Sequence, residues 1–302
     1  MRNVYDVDRE LKLLKPVKYK KYSTLRRVFF NLLFMFSLNV FKPKKHLKKS
    51  VFYIEGFKKK KLKIIIIKNK DINIKRALLY LHGGGFQTEG SLIHIRLLST
   101  LIENTDFVGI YVKYSLAPKY LFPIGLEDCY IAYKWLKTHF CLTDENISIA
   151  GESAGGNLAI GLTMLIRDRL HKSIDKLSVY YPVISHDLNT KSMKQYVDTP
   201  GWNAYLNQAM WNAYLPKKST LNLTYASFKH ANFKGLPKTY IETAEFDCLR
   251  DEGIWFAHQL EKNGIMVEKH FTKKSVHGYD AIFYSQFVKK RIQERKRFLI
   301  NE

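Results

Sequence analysis

The sequence predicts an α/β fold in which a mostly parallel central sheet is flanked by helices. From residue 77 onward, short apolar runs rich in β-branched residues alternate with segments whose apolar residues recur at helical spacing. A glycine-rich turn at residues 151–156 joins one such run directly to one such helix. The chain has 302 residues, of which 46% are hydrophobic, so it can bury the core of one large domain.

Residues 1–50 are expected to form a basic N-terminal helical cap, and residues 51–302 the main domain. Residues 28–41 are apolar except for two asparagines and a serine. At ~1.5 Å per residue, a helix of this length reaches about 21 Å, short of the ~30 Å hydrocarbon core of a bilayer. A signal peptide is not expected, because the charged leader is long and no small-x-small cleavage site follows. Two alternatives remain: a cap packed over the functional site, which we favour, and an interfacial helix lying in a membrane surface.

The sheet is expected to open with an antiparallel hairpin formed by residues 51–55 and 62–68. The strands predicted after it are 77–81, 108–114, 146–150, 177–181, 239–243 and 266–271. The predicted helices are 92–104, 124–139, 157–169, 254–263 and a basic terminal helix from residue 281. An irregular aromatic stretch follows the strand at 177–181. Right-handed connections between the parallel strands would cover both faces of this sheet.

The positive charge is concentrated at the N-terminus. Residues 1–63 hold 19 Lys/Arg and four Asp/Glu, so +15 of the formal net charge of +23 lies there. We interpret this as a solvated surface, with contact to an anionic membrane through residues 1–50 as the alternative. No nucleic acid is expected as a partner, because no recognisable binding module accompanies the charge.

The cysteines indicate a reducing compartment. Cys129, Cys141 and Cys248 are odd in number, widely spaced and form no C-x-x-C pair. We therefore expect a cytoplasmic protein, with a location peripheral to the membrane as the alternative.

Ser153 is the candidate nucleophile. It lies between Gly151 and Gly155 where a predicted strand meets a predicted helix, which is typical of the nucleophile elbow of α/β-hydrolases. The sharp turn strains the backbone, and side chains at positions 151 and 155 would collide with the neighbouring strand and helix. The glycine pattern alone is also compatible with an ordinary loop between a strand and a helix.

A serine that attacks an acyl carbon needs a base, a group that orients the base, and donors for the oxyanion. His277 is the candidate base, because it follows the last predicted strand and the histidine comes last in this fold. Asp247 is the candidate acid, since it follows the strand at 239–243, and Asp251 is its rival.

The candidate oxyanion hole comes from two turns. Gly84 and Gly85 lie in the run His82-Gly83-Gly84-Gly85 after a strand, where backbone N–H groups can converge without interfering side chains. The N–H of Ala154, directly after the nucleophile, would be the third donor.

These motifs together resemble the hormone-sensitive-lipase family of α/β-hydrolases, which includes bacterial carboxylesterases. The resemblance rests on the glycine run at 82–85, the elbow at 151–156, the acid motif at 247–252 and the pair His277-Gly278, in that order. A stretch beginning at Tyr114 is similar to another element of the family, although Ser115 and Lys119 replace its usual Arg and Glu. Cys248 stands where the family usually has proline after the acid.

The resemblance implies a serine carboxylesterase that acts on a small-molecule ester of short or medium acyl chain, with no metal and no cofactor. The expected substrate-binding residues are Phe86, Trp202 and Trp211, although core packing explains the aromatic residues of 196–214 equally well. A lipid hydrolase working at a membrane surface and a non-catalytic ligand receptor remain as alternatives. Whether the protein forms a homodimer is open.

Overall fold

The computed structural model describes residues 5–17, 19–21, 23–186, 189–217 and 223–301. Residues 1–4, 18 and 22 of the predicted cap therefore lie outside the described residues. Within the described ranges, eight strands form one sheet in the order β1-β2-β4-β3-β5-β6-β7-β8. The first two strand pairs, β1 with β2 and β2 with β4, are antiparallel, and the remaining pairs are parallel. The predicted fold class is confirmed.

The strands are β1 Leu47–Glu55, β2 Lys61–Asn69, β3 Arg76–Leu81, β4 Phe107–Lys113, β5 Ile147–Glu152, β6 Lys176–Tyr180, β7 Lys238–Phe246 and β8 Val267–Val276. The helices are α1 Thr24–Val40, α2 Leu92–Ile102, α3 Ile124–His139, α4 Ala154–Leu170, α5 Lys191–Gln195, α6 Ala204–Tyr214, α7 Arg250–Lys262 and α8 Gln286–Ile300.

The sheet is buried on both faces. Successive residues of β2 alternate between two apolar cores: Ile64 and Ile66 belong to one, and Ile65 and Ile67 to the other. This follows from the strand repeat of two residues, which sends neighbouring side chains to opposite faces. Helices α3, α4 and α7 contact strands through the first core, and α2 and α8 pack through the second. The central parallel strands therefore end between two layers of helices, where they can hold a site rigidly.

Two predicted boundaries at the N-terminal end are wrong. Helix α1 begins at Thr24 rather than at residue 28, because the Ser23 hydroxyl accepts a hydrogen bond from Arg26 N at 3.2 Å and caps the helix. Strand β1 begins at Leu47 rather than at residue 51, since Leu47 is already in register with Asn69 of β2. The expected division between residues 50 and 51 thus falls inside β1.

The aromatic stretch after β6 was predicted to be irregular, and it contains two helices. Helix α6 begins after Asn203, whose side chain accepts a hydrogen bond from Leu206 N at 2.9 Å. Its buried face includes Leu206, Met210 and Tyr214, at helical spacing. Those two signals are visible in the sequence and could have predicted α6.

Helix α1 lies against the protein along one side only. Leu38 is its one buried residue, and Asn31 hydrogen-bonds to the loop before α2. The apolar side chains on the face opposite Leu38 and Asn31 are exposed. The helix therefore has the burial expected of a cap helix on one face only. No helix in the described part of the chain is long and apolar enough to cross a membrane.

Candidate active site

Ser153 occupies a strained turn between β5 and α4. Its backbone φ is 54° with ψ −122°, a conformation that L-residues rarely adopt. A Cβ on Gly151 would overlap the carbonyl of Gly155, and a Cβ on Gly155 would overlap the carbonyl of Leu81. The two glycines therefore allow β3, β5 and α4 to approach closely, and the turn lifts the serine out of the strand.

The structure brings Ser153, His277 and Asp247 together, although they are far apart in the sequence. His277 Nε2 lies 2.9 Å from Ser153 Oγ, and His277 Nδ1 lies 2.8 Å from Asp247 Oδ2. All three side chains are buried, with Ser153 and His277 each 6% exposed and Asp247 fully enclosed. Each residue follows the carboxyl end of a parallel strand, namely β5, β7 or β8.

The rival carboxylate, Asp251, is engaged elsewhere. Its Oδ1 pairs with Arg250 Nε at 2.9 Å, and its Oδ2 accepts a hydrogen bond from Ser192 N at 2.7 Å. Asp247 by contrast accepts from Leu249 N at 2.9 Å through the oxygen that does not face His277. Asp247 is thus the carboxylate held against the imidazole.

The glycine turn beside the elbow has a backbone geometry that suits N–H donors to an oxyanion. Gly84 and Gly85 have φ values of 117° and 59°. Gly84 O accepts hydrogen bonds from Gln87 N and Thr88 N, at 3.1 and 3.0 Å, which fixes the turn. A Cβ on Gly85 would lie 2.7 Å from the Trp202 ring, so only glycine fits there without moving Trp202. Ala154 is the first residue of α4, where a helix leaves its N–H groups without helical partners.

The elbow and the glycine turn are tied together by Glu152, which the sequence analysis did not identify. Glu152 Oε1 accepts a hydrogen bond from Gly83 N at 2.7 Å, and its other oxygen accepts from the Tyr80 hydroxyl. Burial raises the pKa of this carboxyl well above its usual value. The contact follows from the register of β3 with β5, because Leu81 pairs with Gly151 and so places the two turns side by side.

Tyr181 packs against the imidazole ring of His277, and the sequence did not predict this contact. Its ring meets the imidazole edge-to-face at a centroid distance of 4.8 Å, and its hydroxyl donates to Asp280 Oδ1 at 2.6 Å. Asp280 in turn pairs with the buried Arg295 at 2.8 Å, which also pairs with Glu242 at 2.7 Å. This network joins α8 to the ring under the candidate base. It depends on long-range contacts that no local pattern reveals.

The three predicted substrate-binding aromatics are buried. Trp202 lies against Gly85, with its ring centroid 6.1 Å from that of His277. Phe86 stacks on Tyr214 at 3.8 Å, and Trp211 lies 6.0 Å from Phe86. Trp202 therefore lies beside the candidate base, and Trp211 belongs to the aromatic group around Phe86 and Tyr214.

The arrangement can transfer a proton from the serine hydroxyl to Nε2 while Asp247 stabilises the resulting imidazolium. Within the residues that the structure describes, no group of three or more His, Cys, Asp or Glu side chains could hold a metal ion.

The burial of His82 in the glycine turn should lower the free energy of unfolding in acid. Its Nδ1 lies 2.7 Å from Gly83 O, its Nε2 has no partner among the described residues, and burial lowers its pKa to about 3. Below pH ~6.5 the unfolded chain binds a proton at His82, whereas the folded chain does not until the pH approaches 3. The contribution of neutral His82 to the stability of the folded protein is therefore complete above pH ~6.5 and is lost as the pH falls toward 3. Between pH 7 and 5 we expect this group to remove about 2 kcal/mol from the free energy of unfolding.

Urea unfolding of the wild type and of His82→Phe at pH 7, 6 and 5 measures this contribution. The variant keeps a ring in the stack with Tyr111 and Tyr114 and should lack this part of the pH dependence. His258→Gln is the matched control, since it replaces a histidine that is exposed on α7 and lies outside the glycine turn. An identical pH dependence in the wild type and His82→Phe would contradict the assignment.

The sheet order and the elbow geometry define an α/β-hydrolase fold. The family model described as alpha/beta hydrolase fold matches residues 78–281. The chain belongs to this family, and the resemblance to hormone-sensitive-lipase-like hydrolases predicted from the sequence is confirmed.

The chain is similar to curated proteins that include a carboxylesterase and a deacetylase. The chain is 30% identical over 210 residues to the carboxylesterase NlhH of Mycobacterium tuberculosis (strain ATCC 25618 / H37Rv), covering 67% of this chain and 66% of that protein. It is 25% identical over 292 residues to arylacetamide deacetylase of Bos taurus, covering 74% and 73%. The solved structure of a bacterial heroin esterase superposes with a TM-score of 0.85 at 26% identity, covering 96% of each chain. The match spans between 60% and 66% of the first four curated relatives.

Proposed function

We propose that the protein is a serine carboxylesterase that hydrolyses short- to medium-chain carboxylic esters through an acyl-enzyme. The observation that carries the proposal is the contact of Ser153 Oγ with His277 Nε2, and of His277 Nδ1 with Asp247, at a strained elbow. The names of the relatives, which include a carboxylesterase and an esterase, support the same reaction class.

In the first half-reaction, Ser153 Oγ attacks the ester carbonyl carbon and passes its proton to His277 Nε2. The N–H groups of Gly84, Gly85 and Ala154 hold the oxyanion of the tetrahedral intermediate. His277 then returns the proton to the departing alkoxide, so that the alcohol leaves and the acyl group stays on Ser153.

In the second half-reaction, His277 removes a proton from water, and the hydroxide attacks the acyl carbon. The same imidazolium protonates Ser153 Oγ as the carboxylic acid leaves. Asp247 orients the imidazole and stabilises its cation in both halves without taking the proton. The reaction needs water and no cofactor.

The enclosure of Ser153 favours shorter acyl chains. Ser153 is buried, and Trp202 packs against Gly85 with its ring centroid 6.1 Å from that of His277. Gly201 approaches so closely that a Cβ there would overlap the carbonyl of His277. A long acyl chain would have to displace this packed segment, at the expense of its buried contacts.

An acyl-chain series of p-nitrophenyl esters tests this function. We expect kcat/KM for acetate to octanoate to exceed that for the palmitate ester by about tenfold or more, because packing around Trp202 resists the longer chain. Trp202→Ala should shift the preference toward longer chains. Tyr205→Ala is the matched control, because Tyr205 is a neighbouring aromatic whose side chain is exposed. A wild type that prefers the palmitate ester would contradict the proposed acyl range.

The free thiols support a reducing location. Cys129, Cys141 and Cys248 form no disulfide in the described structure, and Cys129 and Cys248 are buried. We accordingly propose that the enzyme works in the cytoplasm.

A further inference from the structure

The most exposed apolar surface of the described chain lies on α1. Sixteen large hydrophobic side chains are exposed in the described residues, and seven of them belong to this one helix. These seven define the α1 surface: Leu25, Val28, Phe29, Leu32, Leu33, Phe36 and Val40. Their exposed fractions run from 47% to 84%. Single exposed apolar residues are ordinary, but a contiguous patch marks a binding surface.

The α1 surface is one face of the helix. At about 100° per residue, its seven side chains fall within an arc of about 140°. The opposite face holds the contacts to the protein: Leu38 is buried, and Asn31 hydrogen-bonds to Gln87 O at 3.3 Å and to Glu89 N at 2.8 Å. The helix is therefore anchored by one side and presents the other to its surroundings.

The chain around α1 carries positive charge without acidic residues. Between residues 11 and 54 the sequence has twelve Lys/Arg and no Asp or Glu. Lys20 and Lys21 are exposed before α1, Arg26 is exposed in its first turn, and Lys42 and Lys45 are exposed after it. An apolar helical face with cations at both ends is the composition of an interfacial membrane helix.

We propose that the α1 surface docks the protein onto an anionic lipid surface, with α1 lying in the plane of the interface. Its 17 residues reach only about 26 Å at ~1.5 Å per residue, so the helix lies on a bilayer rather than spanning it. Each Lys or Arg near a negative lipid surface adds electrostatic attraction. A second copy of this chain is the less favourable occupant, because a two-fold interface would bring two like-charged patches together.

Docking in this way places the catalytic face beside the lipid. Asn31 of α1 is bonded to the segment that follows the glycine turn of Gly84 and Gly85. Lys20 lies 4.7 Å from the ring of Tyr205, close to Trp202 in the chain. The interface would thus meet the two elements that border Ser153. Only this consequence rests on the proposed function, since docking itself needs no catalysis.

Flotation of the full chain with vesicles tests the proposal. We expect binding to phosphatidylcholine vesicles containing about 30 mol% phosphatidylglycerol and little binding to phosphatidylcholine alone, because the cations recognise the anionic lipid. Raising the salt from about 50 to about 500 mM should weaken binding, since the Debye length shortens. Phe29→Ser/Phe36→Ser should weaken binding by about tenfold or more. Lys42→Gln/Lys45→Gln should weaken it by a similar factor.

Met266→Ser/Phe271→Ser is the matched control, because both side chains are exposed but lie outside the α1 surface. It should bind as the wild type does. Hydrolysis of soluble p-nitrophenyl acetate should be unchanged in all three double variants, which separates loss of docking from failure of the proposed function.

Three results would overturn the proposal. The first is the absence of binding to anionic vesicles at low salt, and the second is binding that Phe29→Ser/Phe36→Ser leaves unchanged. The third is a vesicle-free dimer in sedimentation velocity that Phe29→Ser/Phe36→Ser dissociates, because a second copy would then cover the surface.

Discussion

Ser153→Ala is expected to lower kcat for p-nitrophenyl acetate by about 10⁴- to 10⁶-fold, because the variant has no nucleophile to form the acyl-enzyme. KM should change much less, since the oxyanion donors and the aromatic walls remain. Steady-state kinetics on protein of unchanged circular dichroism measure the loss. Removing this one hydroxyl should have the largest effect of any single change in the chain.

Ser148→Ala is the matched control for that experiment. Ser148 lies on the same strand as the elbow, and its hydroxyl donates to Asp175 Oδ2 at 2.9 Å, away from His277. The variant should lose about 1 kcal/mol of stability and keep its kcat. Comparable activity in Ser153→Ala and the wild type would remove Ser153 from the mechanism.

Asp247→Asn is expected to reduce kcat by about 10⁴-fold at neutral pH. An amide in that place no longer stabilises the imidazolium, and it favours the wrong tautomer of His277. The hydrogen bond from Leu249 N to the remaining oxygen can persist, so the loop should keep its shape. Kinetics and thermal unfolding together separate this loss from misfolding.

Asp251→Asn provides the comparison, because Asp251 is four residues away and bonds to Arg250 and Ser192 instead of His277. We expect its kcat to stay within about tenfold of the wild type, with a fall in melting temperature as its ion pair is lost. Equal losses in the two variants would show that the acid had been assigned to the wrong carboxylate.

Much of this site follows from local rules. The alternation of apolar runs and helical spacing predicted a parallel sheet, and the strand-end rule then placed Ser153, Asp247 and His277 at one edge. The glycines at 151 and 155 are needed by the backbone itself, because any side chain there would overlap main-chain atoms. Residues whose constraint is local or topological can be recognised without coordinates.

The remainder depends on contacts between distant segments. Glu152 bonds to Gly83, and Tyr181 reaches His277, through tertiary packing that sequence spacing does not encode. The apolar composition of α1 predicted a helix but did not settle which of its faces is buried. The buried side is the one that carries Asn31, which bonds to the loop before α2, and Leu38, which belongs to the second core.

The most direct test of the account is whether Ser153 is an activated nucleophile. Wild type, Ser153→Ala and His277→Ala are treated with a fluorophosphonate probe, and the adduct is located by peptide mass mapping. We expect one adduct, on Ser153, in the wild type alone, because only a serine paired with its base reacts at a useful rate. No adduct on folded wild type, or an adduct on another serine, would contradict the proposed mechanism and favour a non-catalytic ligand receptor or a different site.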